Sequence, residues 1–230
     1  MIEFYYWPTP NGQKIALFLE EAALEYELKL VNIGKGDQFK PDYLAISPNN
    51  KMPAIVDRAP DDGGAPISVF ESGAILMYLA DKTKRFIPPD TRGRVMAMQW
   101  LFWQVGGLGP MIGQRHHFEQ YAKERIPYAI DRYERETLRL VGVLDKQLAR
   151  RAFICGDAYT IADMASYPWI ESHASQEGLD SFPNVQRWHE AIQARPATKR
   201  VYARGEAISP SGQKLTDEAR RHLFGHGKAA

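Results

Sequence analysis

The first part of the chain alternates short β-prone runs with a stretch of helical periodicity. Residues 2–7 are rich in apolar and aromatic side chains, which predicts a strand. After a turn at residues 8–12, apolar residues recur at helical spacing, namely Ile15, Phe18, Leu19 and Ala22. A second β-prone run, residues 26–33, follows at the distance of a βαβ crossover. The first two strands are therefore expected to be parallel.

The next segment predicts a hairpin and further helices. Two short apolar runs, Met52–Val56 and Ile67–Phe70, are separated by a loop dense in proline, glycine and aspartate. A short helix is expected near residues 41–46, and residues 73–82 again show helical spacing. The order of elements over residues 1–84 is then βαβαββα, which indicates an α/β domain.

The rest of the chain shows helical periodicity only. Residues 86–90 contain two adjacent prolines, which cannot continue a helix, so a linker is placed at residues 85–92. Two apolar faces follow: Val95, Met98, Leu101, Phe102 and Val105, and then Ile130, Tyr133, Leu140, Leu144 and Leu148. This pattern predicts an all-α bundle over residues 93–204. A C-terminal extension is expected at 205–230, mostly extended, with a short helix near 217–223.

Composition and charge narrow the functional classes. Across 230 residues, 29 Lys and Arg against 28 Asp and Glu leave a net charge of +1. That balance gives no electrostatic reason to expect nucleic acid or an anionic membrane as a partner. The sequence shows neither a signal peptide nor a run of about 20 apolar residues that would span a bilayer, so a cytoplasmic protein is expected.

The cysteine count restricts any redox chemistry. Cys155 is the single cysteine, which excludes an internal disulfide and a CxxC motif. Its neighbours Phe153, Ile154 and Gly156 favour a packed small residue over a nucleophile. A redox-active thiol therefore has to come largely from a ligand.

A proline opens the first strand of the predicted hairpin. Proline is tolerated at the first residue of a strand, and a trans Met52–Pro53 bond is the interpretation that base rates favour, since only about 5% of such bonds are cis. A cis bond would instead turn the N–H and C=O of Met52 outward. An extended peptide could then pair with them as an additional strand.

Glu71 and Ser72 stand between the second hairpin strand and the following helix. Ser72 is a natural N-cap, and most serines at such positions do nothing else. The start of a helix also offers free N–H groups and a positive dipole end, which suit a carboxylate. With the negative charge of Glu71 for an ammonium group, the pair is suited to an amino-acid zwitterion.

The proline-led strand, hairpin and Glu-Ser helix start together resemble the glutathione site of the glutathione transferases, and the resemblance covers most of the chain. It implies a thioredoxin-like N-terminal domain at 1–84 followed by a helical domain, and a homodimer. It also implies that Met52 and Pro53 meet the cysteinyl backbone of glutathione. Glu71 and Ser72 would hold the γ-glutamyl end.

Three further segments look like those of the bacterial Nu-class glutathione transferases: residues 9–15, 47–51 and 99–110. The resemblance implies glutathione-dependent disulfide reduction, with two glutathione thiols or one glutathione disulfide per site as co-substrate. The glutathione-binding residues that it implies are Asn11, Gln38, Met52, Pro53, Glu71, Ser72 and Arg132.

The chemistry requires a stabilised thiolate, because an unperturbed thiol has a pKa of about 8.5. Thr9 and Asn11, in the loop after the first strand, are the candidate catalytic residues, since a hydroxyl and an amide can donate hydrogen bonds to sulfur. Tyr5 and Tyr6 are weaker candidates, because strand alternation points one of them into the core and both precede the loop.

Three functions fit these residues. The first is a glutathione-dependent disulfide reductase with transferase or peroxidase side activity, which the polar set Thr9, Asn11, Gln38 and Arg132 favours. The second is a transferase that conjugates glutathione to electrophiles. The third is a non-catalytic glutathione-binding or scaffold protein, since fold does not determine function.

Two other motifs are assigned structural or no roles. Thr160 and Asp163 have the spacing of a capping box, so Asp163 is expected to stabilise a helix start. The adjacent pair His116–His117 invites a metal interpretation, but neighbours on a helix diverge by about 100° and no ligand set completes a shell. No metal is expected.

Overall fold

The computed structural model describes residues 1–211 and 215–225 of the chain. By their contacts these residues form two compact units. One contains residues 1–82 together with the described residues from 199 onward, and the other contains residues 83–198. The predicted linker at 85–92 begins just after this division, whereas the predicted C-terminal boundary lies several residues beyond it.

The first unit is built on a four-stranded mixed sheet. Its strands are β1 (Ile2–Tyr6), β2 (Tyr26–Leu30), β3 (Ala54–Asp57) and β4 (Ile67–Phe70), in the order β2-β1-β3-β4. β1 and β2 are parallel, and β3 is antiparallel to both β1 and β4. The predicted parallel crossover and the predicted hairpin are both confirmed.

Three helices complete the βαβαββα order that the sequence predicts: α1 (Pro10–Ala22), α2 (Pro41–Leu44) and α3 (Ser72–Thr83). Between β2 and α2 the chain makes two short 3-10 turns, Ile33–Lys35 and Asp37–Phe39. The core of this unit lies between the sheet and the helices; its fully buried side chains include Phe4, Tyr6, Ile15, Phe18, Leu19, Ile55, Ile75, Leu76 and Leu79.

The second unit is helical, as predicted. It contains α4 (Thr91–Trp103), α5 (Gly109–His116), α6 (Pro127–Leu148), α7 (Ile161–Glu177), α8 (Pro183–Gln193) and the start of α9 (Pro196–Ile208). Wide π-type turns at Gln104–Leu108 and His117–Tyr121 flank α5.

One predicted apolar face is correct in its leucines, and the other is correct only in part. On α6, Leu140, Leu144 and Leu148 are buried as predicted. On α4, Leu101 is buried as predicted, whereas Val95 is 47% and Phe102 is 61% exposed on the isolated chain. They share a face of the helix opposite to the one that packs, because α4 has apolar residues on two sides and periodicity alone does not choose between them.

The C-terminal segment is more helical than expected. α9 continues to Ile208, and α10 (Asp217–Phe224) confirms the predicted short helix. Within the first unit, Arg200 and Arg204 each form an ion pair with Glu20 of α1, at 2.9 and 3.0 Å. These charge pairs connect α9 to α1. Residues 212–214 and 226–230 of the predicted extension lie outside the described residues.

Asp163 has the structural role that its spacing predicts. Its carboxylate is fully buried and forms a capping box with Thr160 at the start of α7. It also accepts hydrogen bonds from the backbone N–H of Ile154 and from the indole N–H of Trp188, both at 2.9 Å. One buried side chain thus connects the helix start, the preceding turn and α8.

Replacing Asp163 with alanine is expected to lower the free energy of unfolding by about 3 kcal/mol, because several buried donors lose their acceptor at once. Urea denaturation followed by circular dichroism measures the effect. Asp157→Ala is the control, since Asp157 is exposed in the same turn. Equal stability of the two variants would contradict a structural role for Asp163.

Candidate functional site

The loop between β1 and α1 brings Thr9 against Met52. Thr9 is the N-cap of α1, and its hydroxyl oxygen accepts the N–H of Gly12 at 3.2 Å. The same hydroxyl donates to the sulfur of Met52, also at 3.2 Å. The Thr9 O–H therefore already points towards a sulfur atom at this edge of the sheet.

Gly12 allows this close approach. A Cβ atom placed there would lie 2.2 Å from the carbonyl oxygen of Trp7 and 2.8 Å from the terminal methyl of Met52. Only a residue without a side chain fits, since contacts below about 3 Å to backbone cannot be relaxed cheaply. Asn11, beside it in the first turn of α1, is half-buried.

Met52 and Pro53 lead directly into β3. Their peptide bond is cis, which is the alternative that base rates disfavoured, and both residues are buried. The carbonyl of Lys51 accepts from Tyr43 and Ser47, each at 2.8 Å. Within residues 1–211 and 215–225, no backbone group bonds the N–H or C=O of Met52. These two groups are thus unused by the fold at the point where an extended peptide would pair.

Glu71 and Ser72 lie where β4 ends and α3 begins. Ser72 is the first residue of the helix and not, as predicted, the cap, because the carbonyl of Glu71 accepts from Ile75 at 2.9 Å. Glu71 is exposed and has a left-handed backbone with φ of 69°. Such a conformation costs a non-glycine residue about 1 kcal/mol or more and is common at binding sites.

A buried cation lies behind Ser72. Lys14 of α1 is 1% exposed, and its ammonium donates to the Ser72 hydroxyl oxygen at 3.1 Å. Burial lowers the pKa of Lys14 to about 7, while the charge of Glu71 acts to raise it. The sequence gives little indication that Lys14 is buried, because a lysine in an amphipathic helix ordinarily lies on the solvent face. Only the structure shows that it belongs to a run of buried α1 residues.

Gln38 and Arg132 are the two remaining residues that the resemblance implies. Gln38 is buried, and its amide N–H donates to the carbonyl of Ile33 in the preceding turn at 3.3 Å. Its amide oxygen is buried and has no hydrogen-bond partner within the described parts of the chain. Arg132 lies on α6 of the second unit, in an open groove of about 620 Å³ that it shares with Tyr128 and Arg135. The roles of Gln38 and Arg132 stay predictions.

The Cys155 thiol and the phenols of Tyr5 and Tyr6 are poor nucleophiles at neutral pH, because the pKa of each is raised. Burial raises the pKa of the Cys155 thiol to about 11, so the thiol stays protonated. Burial also raises the pKa of Tyr6 to about 12, and it raises that of Tyr5 together with the nearby charge of Glu3. All three side chains are therefore protonated at neutral pH, and none provides an anionic nucleophile.

A metal centre and a membrane-spanning helix are two other features that the structure bears on. In the part of the chain that the structure describes, no group of three or more His, Cys, Asp or Glu side chains is arranged to hold a metal ion. His116 instead contacts the amide of Gln176 at 3.1 Å, and burial lowers its pKa. Among the same described residues, no helix is long and apolar enough to cross a membrane.

Comparison with known proteins identifies the family of the two regions. The description "Glutathione S-transferase, N-terminal domain" matches residues 1–81, and "Glutathione S-transferase, C-terminal domain" matches residues 113–196. Disulfide-bond oxidoreductase YfcG of Escherichia coli is 57% identical over 86% of this chain and 93% of its own length. Disulfide-bond oxidoreductase YghU of the same organism is 44% identical over 93% of this chain and 78% of its own length.

Solved structures agree with these matches. A glutathione transferase from Burkholderia graminis, with two glutathione molecules bound per subunit, has a TM-score of 0.84 and 43% identity, covering 92% of this chain and 89% of its own. One from Pseudomonas putida, with one glutathione disulfide bound per subunit, has a TM-score of 0.82 and 39% identity, covering 87% of this chain and 90% of its own.

Gly12→Ala is expected to lower the free energy of unfolding by about 2 kcal/mol, because its Cβ would collide with the Trp7 carbonyl. The matched control is Gly142→Ala in α6, where a Cβ would meet its nearest atom at 3.8 Å. That control should gain up to about 1 kcal/mol, as alanine usually does in a helix. Urea denaturation of both variants measures the difference, and a stabilised Gly12→Ala protein would contradict the geometry.

Proposed function

We propose that this chain, which belongs to the glutathione S-transferase family, is a glutathione-dependent disulfide-bond reductase. The observation that carries the proposal is the combination of a hydroxyl aimed at sulfur with the lack of a competent protein thiol. Thr9 donates to a sulfur atom at the sheet edge, whereas Cys155, the only cysteine, is kept protonated by burial. The names of YfcG and YghU support the same reaction class.

The proposed reaction runs through two thiol–disulfide exchanges. The thiolate of one glutathione attacks a substrate disulfide, forming a mixed disulfide and releasing one substrate thiolate, which takes up a proton. A second glutathione thiolate attacks the glutathione sulfur of the mixed disulfide and releases the other substrate thiol. Two glutathione molecules are thus oxidised to one glutathione disulfide, and the substrate disulfide is reduced by two electrons.

The residues at the sheet edge are proposed to bind and activate the first glutathione. Thr9 and Asn11 donate hydrogen bonds to its sulfur, and each unit by which they lower the thiol pKa corresponds to about 1.4 kcal/mol. Met52 pairs its unused N–H and C=O with the cysteinyl backbone, with Pro53 setting the start of the strand. Glu71 accepts from the γ-glutamyl ammonium, and Ser72 donates to the carboxylate.

Two further residues complete the proposed glutathione contacts. Arg132 would bind a glutathione carboxylate through the groove on α6. Gln38 would use its amide oxygen, which is unsatisfied within the described residues, to accept a hydrogen bond.

Small disulfides are the proposed substrates, and the protein is proposed to act as a cytoplasmic homodimer. Light scattering on the purified protein measures its mass directly, and a monomer would contradict the last point.

Turnover of a small model disulfide with reduced glutathione, coupled to NADPH oxidation by glutathione reductase, tests the reaction. Cys155→Ala is expected to keep the activity. Thr9→Ala/Asn11→Ala should lower it roughly 10-fold or more, because a thiol pKa returned by one unit leaves about a tenth of the thiolate. Thr9→Ser is the matched control, since it retains both the hydroxyl and the helix cap.

Two results would contradict the proposal. Loss of activity in Cys155→Ala would move the chemistry to the protein thiol. If the wild-type protein leaves disulfides unreduced but conjugates glutathione to a test electrophile, it is a conjugating transferase.

Glu71→Gln is expected to raise the KM for glutathione about 10-fold or more with little change in kcat, because a hydrogen bond to a charged group contributes about 1.5–3 kcal/mol. Steady-state kinetics in glutathione measure the split. The control ligand is glutathione without its α-amino group, which should bind equally to both proteins. If removal of the α-amino group weakens binding by the same factor in wild type and in Glu71→Gln, Glu71 does not bind the ammonium.

A further inference from the structure

Lys14 has a position that the proposed mechanism does not yet use. Its ammonium is 1% exposed and donates to the hydroxyl oxygen of Ser72 at 3.1 Å. Ser72 itself is 8% exposed and begins α3. Burial costs this lysine its solvation, and an apolar side chain of similar length would fill the same space without that cost.

The direction of this hydrogen bond is determined by its chemistry. In its protonated form Lys14 has three donors and no acceptor, so the oxygen of Ser72 must then accept from Lys14. The proton of the Ser72 hydroxyl must then point to a different acceptor. At the start of α3, where the first N–H groups of the helix lack intrahelical partners, a ligand carboxylate is the acceptor that fits.

We propose that Lys14 is a positioning residue for glutathione, which orients the Ser72 hydroxyl towards the γ-glutamyl carboxylate and supplies a buried positive charge behind it. This inference rests on the proposed function, because it assigns a role within the same site. Lys14 acts through Ser72 and through its charge, and it does not touch the reacting sulfur.

A consequence of this placement is that ligand binding and protonation are coupled. In the free protein, burial lowers the pKa of Lys14 to about 7, and Glu71 is the charged neighbour that opposes this shift. A bound carboxylate adds a further negative charge, which favours the ammonium form. Binding of glutathione at pH 8 should therefore draw a proton onto Lys14.

The nearby phenol of Tyr6 does not account for such a proton. Tyr6 of β1 bonds Gln13, the residue before Lys14, and burial raises its pKa to about 12. The charge of Arg204 of α9 acts to lower the pKa of Tyr6 but does not outweigh burial. Tyr6 therefore does not titrate between pH 6 and 9.

In the free protein, the pH dependence of folding stability tests the sign of the Lys14 pKa shift. The unfolded chain binds a proton at Lys14 up to about pH 10.5, whereas the folded chain releases it at about 7. The folded state therefore gains stability as the pH rises from about 7 to 10.5, and the gain is lost as the pH falls through 7. Lys14→Met should lack this dependence and should melt at least as high as wild type at pH 6.

Calorimetric titration with S-methylglutathione, which has no thiol to ionise, tests the inference. Titrations at pH 8 in buffers of different ionisation enthalpy report the protons taken up on binding. Wild type is expected to take up most of one proton, since roughly nine-tenths of a group with a pKa of 7 is neutral at that pH. Lys14→Met should lose this uptake and bind at least 10-fold more weakly.

Two matched variants separate charge from packing. Lys14→Arg keeps a permanent charge and should retain more affinity than Lys14→Met, but without the proton uptake. The double variant Lys14→Met/Ser72→Ala should bind S-methylglutathione no more weakly than whichever single variant has the lower affinity. The reason is that both changes remove the same hydrogen bond to the carboxylate. In disulfide turnover, Lys14→Met should raise the KM for glutathione and leave kcat at saturation close to wild type.

Clear results would overturn the inference. If Lys14→Met binds S-methylglutathione as tightly as wild type with the same proton uptake, Lys14 only fills space, and the proposed function is untouched. Additive losses in the double variant would equally reject action through Ser72. If wild type neither binds S-methylglutathione nor reduces disulfides, the proposed function fails, and the role of Lys14 fails with it.

Discussion

The register of β3 is the constraint on which the site depends. Ala54, the first residue of β3, pairs with Tyr5 of β1 on one side and with Phe70 of β4 on the other. Because β3 is antiparallel to both neighbours, the start of β3 meets the ends of β1 and β4 at one edge of the sheet. Met52 and Pro53 directly precede β3, and Glu71 and Ser72 directly follow β4. Thr9 and Asn11 lie three and five residues after the end of β1. A shift of β3 by one position would turn all of its side chains to the opposite face and disperse the site.

α1 connects the two halves of this edge. At its start, Thr9 contacts Met52, and one turn further Lys14 contacts Ser72. The helix is closely packed, because its residues from Gly12 to Leu19 are all buried. A polar side chain on any face of this segment is thus held in place by its surroundings, which is the condition for orienting a ligand within a few tenths of an ångström.

Several features at this edge oppose stability in the free protein. Glu71 adopts a left-handed backbone, Lys14 is buried with a lowered pKa, and the N–H and C=O of Met52 are not used by the described backbone. Asp163 in the second unit shows the contrast, since its buried carboxylate is satisfied by donors from three elements. The carboxylate of Asp163, which serves only the fold, is saturated, whereas the backbone groups of Met52 at the sheet edge retain capacity for a ligand.

Local patterns in the sequence determined the element order, the hairpin, the capping box at Asp163 and the candidates Met52, Glu71 and Ser72, whereas Thr9 came from the resemblance to the glutathione transferases. Such signals depend on neighbours along the chain, so periodicity and turn chemistry are sufficient to read them. Tertiary structure alone decided the cis bond at Pro53, the burial of Gln38 and Lys14, and which face of α4 packs. Each of these depends on what lies against a residue from a distant part of the chain, because desolvation and packing are set by contacts in space and not by spacing in sequence.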